Sequence, residues 1–385
     1  MKNSKLIRIT TVPISLDKLL QGQLKYMSSF YEVVAISSDP VYLEKIGKRE
    51  GVRTFPLQLT RKITPFADFL AVVTLLLWLR KEKPLIVHSH TPKAGLVAML
   101  ASKLAGVPIR LHTVAGLPLL ETTGLKRKLL NFIEWLTYSC ATKVYPNSFG
   151  LRDIILRNKF CDPTKIGVIA NGSSNGIDID YFNRNAISDE VISSYKEKYT
   201  ISSSDFVFIF VGRLVSDKGI NEMVIAFERV QKKNATAKLL LVGHFEPDLD
   251  PILPETLLKI KENKAIISVG YQNDVRPFYA ISNALVFPSY REGFPNVVMQ
   301  AGAMNLPSIV SDINGCNEII EADVNGVIIP IKDSLAIEIA MNNFIENPNY
   351  FSQIQGKARE MITSRYGKLH VWKAIHQEYL YFSNK

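Results

Sequence analysis

Glu292 is the residue whose type and position best suit chemistry in this sequence. It lies in a short loop between the apolar run Ala284–Pro288, which has strand character, and Pro295–Met304, which has helical spacing with Pro at its first turn. A carboxylate at the carboxyl end of a strand can accept hydrogen bonds from sugar hydroxyls, and the free N–H groups of a helix start can hold phosphate. The segment therefore predicts a sugar-nucleotide site. The alternative is a surface glutamate in an ordinary strand–loop–helix.

A second loop supplies two cations. Val211–Gly219 follows an apolar strand and opens a helix, and it contains Arg213 and Lys218. A departing nucleoside diphosphate develops negative charge as its bond to a sugar breaks, and a guanidinium with an ammonium can stabilise that charge without a metal. These residue types therefore predict a diphosphate site, with an ordinary basic loop as the alternative.

The elements that must position these loops alternate along the whole chain. A chain of 385 residues with 47% hydrophobic content exceeds what one core normally supports. The predicted strands are Leu6–Thr11, Val33–Ser37, Leu85–Ser89, Ile109–Thr113, Lys143–Pro146, Phe206–Gly212, Lys238–Gly243, Ala265–Gly270, Ala284–Pro288 and Pro307–Ser311. With helical patterns between them, they predict an α/β protein with two parallel, doubly wound sheets.

The predicted boundary lies in the turn-rich stretch Gly172–Ile201, which includes a polar helix at Ser188–Tyr199. We therefore expect domains at residues 1–180 and 181–365. The stretch Tyr350–Phe382 reads as two helices that follow the last strand.

Positive charge is concentrated in the first domain. The net charge is +10, but residues 1–180 hold 25 Lys and Arg against 13 Asp and Glu, whereas the remainder holds 21 against 23. This asymmetry favours anionic partners, either a phosphate-bearing substrate or the anionic cytoplasmic membrane leaflet, where each Lys or Arg contributes about 1 kcal/mol. Nucleic acid is not expected as a partner, because no recognition motif accompanies the charge.

Cysteine usage and the N-terminus indicate a reducing compartment. The three cysteines are odd in number and lack paired spacing, which argues against a disulfide framework. The N-terminus has neither the apolar core nor the cleavage site of a signal peptide. We therefore expect a cytoplasmic protein.

Phe66–Leu79 is the one long apolar run. Its fourteen residues are fewer than the roughly 20 needed to span a bilayer. It predicts a buried helix against the first sheet. The alternative is a helix in the membrane interface, a position that suits Trp78 and the adjacent Arg80 and Lys81.

The two loops together resemble the donor site of family 4 glycosyltransferases. These are retaining enzymes that use nucleotide sugars and have the GT-B fold, in which two Rossmann-like domains face a cleft. The family signature is Glu, seven residues, Glu, and here the second Glu is replaced by Gln300. The resemblance implies that Glu292 contacts the donor sugar and Gln300 the ribose. It also implies that Arg213 and Lys218 bind the diphosphate.

Further donor contacts follow from the same resemblance. The family's nucleobase loops correspond to the strand ends at Gly243 and Tyr271, with Val275 beyond. The remaining implied donor residues are Gly212, Gly293, Phe294, Pro295, Asn296 and Val297.

The resemblance places other residues in the acceptor-binding first domain. Gly22 corresponds to a glycine loop over the donor phosphates, although this chain has a single glycine there. His90 and Lys93 lie in a loop at the cleft, where Lys93 is a candidate contact for an acceptor phosphate. Many family members have a histidine just before Gly116, and this chain has Ala115.

His112 is the nearest histidine to that position. Positions i and i+3 of a strand point to opposite faces, so His112 is not a ready substitute for the missing histidine. It remains a candidate cleft residue. Residues 366–385, which include the last predicted helix, cross back to the first domain in the family fold.

No metal or cofactor is expected. His88 and His90 lack a third ligand with usable spacing, which favours structural or substrate-lining roles. Asp178 and Asp180 resemble a metal-binding pair of the other glycosyltransferase fold, but they lie in the predicted linker.

The sequence most resembles bacterial enzymes of capsule, O-antigen and lipid-linked oligosaccharide assembly, including undecaprenyl-diphosphate-sugar N-acetylgalactosaminyltransferases. This resemblance implies a retaining transferase that moves a hexose or N-acetylhexosamine from a UDP-sugar to a polyprenyl-diphosphate-linked glycan. We expect it to be peripheral on the cytoplasmic face of the inner membrane. Two alternatives remain. One is a sugar-nucleotide epimerase or hydrolase of the same architecture, and the other is a sugar-binding protein without catalysis.

Overall fold

The computed structural model describes residues 4–117, 119, 122–248 and 250–384, and the chain divides into two units. Met1–Gly176 and Lys368–Lys385 form the first unit, and Ile177–Gly367 form the second. The units change four residues before the predicted boundary at 180, and the chain returns to the first unit two residues after the predicted position at 366. Ile177 and Gly367 form a β-bridge, so the second unit begins and ends at one point.

Each unit contains one sheet of six parallel strands among its described residues. In the first unit these are β1 (Lys5–Ile9), β2 (Glu32–Ser37), β3 (Arg53–Pro56), β4 (Ile86–His90), β5 (Ile109–Val114) and β6 (Lys143–Pro146). In the second they are β7 (Phe206–Val211), β8 (Ala237–Val242), β9 (Ile266–Gly270), β10 (Ala284–Phe287), β11 (Ser308–Ser311) and β12 (Gly326–Ile329).

The helices are numbered along the chain. They are α1 (Pro13–Leu19), α2 (Gln23–Ser28), α3 (Pro40–Glu50), α4 (Pro65–Glu82), α5 (Pro92–Ala105), α6 (Gly124–Cys140), α7 (Phe149–Arg157), α8 (Asp189–Lys198), α9 (Ile220–Lys233), α10 (Pro254–Glu262), α11 (Arg276–Ala280), α12 (Asn296–Ala303), α13 (Cys316–Ile319), α14 (Ser334–Glu346), α15 (Pro348–Tyr366) and α16 (Lys368–Ser383).

Both sheets have the same strand order. It is β3-β2-β1-β4-β5-β6 in the first unit and β12-β11-β10-β7-β8-β9 in the second, which is the same order read from the opposite edge. This is the doubly wound arrangement, in which ligands bind beyond the carboxyl ends of the strands where the order reverses. The reversal lies between β1 and β4 in the first unit and between β7 and β10 in the second. The predicted α/β class with two doubly wound domains is confirmed.

Two strands have no counterpart in the sequence prediction. β3 is an edge strand of four residues with Arg53 at its start, Pro56 at its end and no buried residue. β12 is also an edge strand of four residues, but it begins with Gly326 and both of its end residues are buried. Proline and glycine disfavour strands, and the ladder contacts of the neighbouring strand override that preference here.

The strands pack under helices because nearly every central strand residue is apolar. In the first unit, α4 to α7 cover one buried cluster, whereas α1 to α3 and α16 cover another. The second unit has one large cluster that includes both faces of its sheet. Strands that are buried on both sides are expected for parallel sheets of this kind.

Helix α4 departs from the prediction of a buried helix, because only one of its sides is buried. That side carries Ala71, Val72, Leu75 and Leu79. The opposite side is also apolar but exposed, and it carries Phe66, Phe69, Leu70 and Leu77. The segment was therefore long enough and apolar enough to predict a helix, but its pattern could not reveal that one side faces outward.

Candidate functional site

Two loops leave adjacent strands where the order of the second sheet reverses. The loop from Gly212 to Gly219 follows β7, and the loop from Pro288 to Pro295 follows β10. Because β7 and β10 are hydrogen-bonded neighbours, their loops begin side by side at the carboxyl edge. This edge is where the doubly wound arrangement places a ligand.

Gly219 lets these loops approach closely. Its φ of +71° is left-handed, and a Cβ there would lie 2.2 Å from the carbonyl oxygen of Pro288. The backbone N–H of Tyr290 donates to the carbonyl of Asp217 over 2.8 Å. A side chain at position 219 would push the loops apart, so the glycine fixes their separation.

The close approach brings Lys218 and Glu292 into direct contact. Lys218 Nζ lies 2.5 Å from Glu292 Oε1, and Ser289 Oγ donates to the same carboxylate oxygen over 3.2 Å. The two charged side chains are only 14% and 19% exposed. An ammonium has three donors and a carboxylate accepts several hydrogen bonds, so each can still bind a ligand while holding the other in place.

A third loop supports the backbone of Glu292. Asn314 Nδ2 donates to the carbonyl oxygens of Glu292 and Gly293. At Gly315, with φ +79°, a Cβ would lie 2.6 Å from the Gly293 carbonyl oxygen. Sequence reasoning missed Ser289, Asn314 and Gly315. The Asn-Gly dipeptide was a usable turn signal, but its partner loop could not be identified from the sequence alone.

The start of α12 closes this side of the site. Pro295 is its N-cap and has no side chain that accepts from the helix. The first amides of the helix, at Asn296 and Val297, have no carbonyl partner within it because they are at its start. Phe294 is buried and packs edge-on against Tyr366, with ring centroids 5.4 Å apart. Phe294 therefore anchors the loop, and the exposed Asn296 is the better placed of these residues to meet a ligand.

Arg213 has a different partner. Its Nη1 donates to Glu246 Oε2 over 2.7 Å, and the other oxygen of Glu246 lies 3.0 Å from His244 Nε2. The hydrogen bond from Arg213 lowers the pKa of Glu246. Arg213 is 45% exposed, so a competing anion can draw it away from Glu246 at small cost. Sequence reasoning did not identify Glu246.

The other predicted donor residues lie around this centre. Position 243 requires glycine, because a Cβ there would lie 1.7 Å from the Gly212 carbonyl oxygen. Gln300 Oε1 accepts from the buried Tyr279 hydroxyl over 3.3 Å, and the Tyr279 N–H donates to the carbonyl of Val275 over 3.1 Å. Tyr279 thus connects Gln300 with Val275.

Tyr271 follows the edge strand β9 and is exposed. Its ring stands edge-on to His244 at 6.2 Å. An exposed aromatic ring at a strand end can stack on a planar ligand such as a nucleobase. The structure leaves this role as a prediction.

The two halves of the chain match models of one enzyme class. Residues 191–361 match "Glycosyl transferases group 1", and residues 25–172 match "Glycosyl transferase 4-like domain". The capsular polysaccharide biosynthesis glycosyltransferase CapM of Staphylococcus aureus is 30% identical over 98% of this chain and 97% of its own length. This chain belongs to the group 1 glycosyltransferases.

Two further comparisons agree with this family. This chain is 29% identical to the UDP-Gal:α-D-GlcNAc-diphosphoundecaprenol α-1,3-galactosyltransferase of Escherichia coli, over 74% of its own length and 72% of that protein. A glycosyltransferase from Rickettsia africae ESF-5 superposes with a TM-score of 0.80 at 18% identity, over 99% of both chains. That likeness shows the fold, which is GT-B. The predicted family and enzyme class are confirmed.

The residues that the structure describes contain no candidate metal site. Among them, no three or more His, Cys, Asp and Glu side chains form a group that could hold a metal ion. Asp178 accepts from the N–H groups of Asp180 and Tyr181, which is a local turn. Within the same residues, no helix has the length and apolarity to cross a bilayer.

His112 and His90 of the first unit are not open to a ligand. His112 is 2% exposed, its Nδ1 lies 2.8 Å from Ser89 Oγ, and a Cβ at Gly95 would lie 2.3 Å from its ring. Burial lowers the pKa of His112 to about 4 and that of His90 well below its usual value. The prediction that they line a cleft is not supported, because the ring of His112 packs under α5 and His90 contacts Arg8.

Arg8 is a buried cation that the sequence did not reveal. Its guanidinium contacts the Tyr379 hydroxyl at 2.9 Å, His90 Nε2 at 2.9 Å and the Gln23 amide oxygen, none of which carries a negative charge. His88 Nδ1 lies 2.6 Å from the same Tyr379 hydroxyl. Burial lowers the pKa of Arg8. These contacts fasten α16 to the first sheet.

Gly22, Lys93 and Gly116 occupy three different settings. Gly22, with φ +79°, lies against Trp372 of α16, and its N–H donates to Glu50 over 3.2 Å. Lys93 Nζ contacts both oxygens of Asp68 at 2.7 and 2.9 Å. Gly116 has open space where a Cβ would be. Gly22 is therefore explained by packing, whereas the surroundings of Lys93 include a pocket described below.

Proposed function

We propose that this glycosyltransferase is a retaining enzyme that moves a sugar from a UDP-sugar to a hydroxyl of a polyprenyl-diphosphate-linked glycan. The observation that carries the proposal is the contact between Lys218 and Glu292 at the sheet reversal. It combines an acceptor for sugar hydroxyls with a cation for the leaving phosphate. The UDP donor and the diphosphoundecaprenol acceptor of the Escherichia coli relative support the substrate classes.

The proposed reaction is a front-face displacement. The bond between the sugar C1 and the diphosphate oxygen breaks, and its electron pair leaves with UDP. The acceptor oxygen bonds to C1 on the same face, and its proton passes to the leaving phosphate. Lys218 and Arg213 stabilise the charge that develops on the diphosphate. Glu292 orients the donor sugar, while the Lys218 contact and the Ser289 hydroxyl hold its carboxylate in position.

A product assay tests this proposal against an epimerase or hydrolase. UDP- and GDP-sugars would be incubated with and without short prenyl-diphosphate glycans, and the products read by mass. We expect one UDP-sugar to extend the acceptor by one residue with the anomeric configuration retained. An altered or hydrolysed nucleotide sugar that forms equally well without acceptor would contradict the proposal.

We further propose that the first unit docks on an anionic membrane surface. The unit holds 28 Lys and Arg against 12 Asp and Glu, whereas the second holds 18 against 24. α4 and α6 both pack on α5 and expose apolar side chains at helical spacing. On α6 these are Leu125, Leu129, Phe132 and Trp135. Basic residues lie at the ends of both helices: Arg61 and Lys62 precede α4, Arg80 and Lys81 are in its last turn, and Lys126 and Lys128 are near the start of α6. Apolar stripes with basic flanks match the interface of an anionic leaflet.

Binding to acidic liposomes is expected to fall steeply with salt, because exposed charges are screened beyond about 8 Å at physiological ionic strength. Neutral liposomes should bind poorly. Phe66→Ser with Leu77→Ser should weaken binding by at least about tenfold, since each loses apolar burial in the interface. Ile339→Ser on α14 is the matched exposed control and should bind as the wild type does. Equal binding of the paired variant and the control would contradict the proposed face.

A further inference from the structure

The first unit contains a pocket of about 780 Å³ that the donor chemistry does not use. It lies where the first sheet reverses, beside Thr11 after β1 and Thr91 after β4. Its volume is in the range of about 300–1,000 Å³ that is typical of small-molecule sites. Most of its wall is aliphatic and comes from Val12, Ile63, Leu96, Leu130 and Ile133.

Four cations stand at this pocket: Arg61, Lys62, Lys93 and Lys126. The ammonium of Lys93 is neutralised by Asp68. Within the described part of the chain, Arg61, Lys62 and Lys126 form no ion pair, and all three are exposed. An aliphatic wall with uncompensated cations suits a ligand that has an apolar body and an anionic head.

Glu134 adds a third feature. It lines the same pocket from α6 and is 6% exposed, and no described cation pairs with it. Burial raises the pKa of Glu134 to about 7, against a smaller lowering by the Tyr138 hydroxyl one turn away. In its protonated form this carboxyl can donate a hydrogen bond to a phosphate oxygen. When ionised it repels an anion.

α6 connects the pocket with the proposed membrane face. Lys126, Leu130 and Ile133 face the pocket, whereas Leu125, Leu129 and Phe132 form the neighbouring exposed stripe of the same helix. The pocket wall and the proposed membrane face are therefore adjacent sides of one helix. This continuity favours a membrane lipid over a freely diffusing phosphate compound as the occupant.

We propose that this pocket binds the diphosphate and the first isoprenoid units of the lipid acceptor. Arg61, Lys62 and Lys126 contact the diphosphate, the aliphatic wall contacts the prenyl chain, and the protonated Glu134 carboxyl donates to a phosphate oxygen. The inference rests on the proposed function for the identity of the lipid. Its test measures binding directly, so that it can fail while the transferase activity stands.

Calorimetric titration of the full chain with geranylgeranyl diphosphate tests the pocket, and inorganic diphosphate serves as the probe for simple charge attraction. We expect the prenyl compound to bind at least about tenfold more tightly. Leu96→Trp fills the pocket and should remove most of that difference. Leu104→Trp, at the exposed end of the same helix, is the matched control and should keep it. Equal binding of both probes to the wild type, or equal effects of the two variants, would overturn the inference.

Lys126→Ala keeps the test sharp if Leu96→Trp does not fold. It should weaken both phosphate probes by several fold and leave the preference for the prenyl compound intact. Unchanged binding of both probes would remove the assigned diphosphate contact. A wild type that binds the prenyl compound but extends no glycan would contradict the proposed function instead, so the two failures are distinguishable.

The pH dependence isolates Glu134. An acid with a pKa of about 7 is mostly protonated at pH 6 and mostly ionised at pH 8. Between these two pH values, the affinity of the wild type for geranylgeranyl diphosphate should therefore fall about tenfold relative to that of Glu134→Gln, which keeps a hydrogen-bond donor at every pH. The ratio cancels ionisation of the ligand. The other charged or titratable groups at the pocket are Arg61, Lys62, Asp68, Lys93, Lys126 and Tyr138, and all are common to both proteins. A ratio independent of pH would exclude Glu134 from the phosphate contact.

Discussion

Lys218→Ala and Arg213→Ala are each expected to lower turnover by two or more orders of magnitude. Loss of a charge contact made in the transition state costs roughly 3–4 kcal/mol. The structure separates the two cases. Arg213 is half exposed and its partner Glu246 lies on the surface, so its removal should leave folding intact. Lys218 is largely buried against Glu292, so its removal also frees that carboxylate.

Steady-state kinetics with the UDP-sugar and acceptor measure both losses, and thermal unfolding serves as the control. Because Lys218 and Glu292 touch, their double variant should lose less than the sum of the single losses in activation free energy. Arg213 and Glu292 are not in contact, so their losses should be closer to additive. Turnover near wild type in both single variants would remove the diphosphate assignment.

The central strands could be predicted from the sequence because they are continuous apolar runs between turn signals. β3 and β12 could not, since each has four residues and exists only because a neighbouring strand supplies its hydrogen bonds. Helix α4 was predicted as a helix but not as a two-sided one. A uniformly apolar segment has no periodicity that distinguishes a buried side from an exposed side.

The candidate site was predicted as separate loops, and the structure adds their contact. Lys218 and Glu292 are 74 residues apart, so only the strand order can place β7 beside β10 and bring the pair to 2.5 Å. Ser289 and Glu246 have no distinctive local pattern, and Asn314 has only the turn signal of its Asn-Gly dipeptide. That signal does not identify the loop of Glu292 as the partner of Asn314. The resemblance to known enzymes supplied Glu292, Arg213 and Lys218 because their spacing within each loop is local.

The first-unit histidines show the opposite error. His90 drew attention because it and His88 precede a helix start, and His112 because many family members have a histidine just before Gly116. In the structure both side chains are buried: the His112 ring contacts Ser89 and Gly95, and His90 contacts Arg8. A buried arginine in a strand of apolar neighbours has no sequence signature, because its compensation comes from α16 at the far end of the chain.

Glu292→Gln is expected to lower turnover at least about 100-fold while UDP binding stays nearly unchanged. Glutamine keeps the shape, and its amide oxygen can still accept from Lys218 and Ser289, so the loop should keep its position. What disappears is the negative charge that orients the donor sugar. The measurements are turnover with saturating donor and calorimetric binding of UDP.

Gln300→Glu is the matched comparison on the same loop and helix. It restores the residue that the family usually has, and the Tyr279 hydroxyl that now donates to Gln300 can donate to the new carboxylate. Turnover should stay similar, and donor affinity should tighten or stay unchanged. The two variants thus separate a role at the transferred sugar from a role at the ribose. Full activity of Glu292→Gln, or a loss that appears only as weaker UDP binding, would show that Glu292 does not contact the transferred sugar.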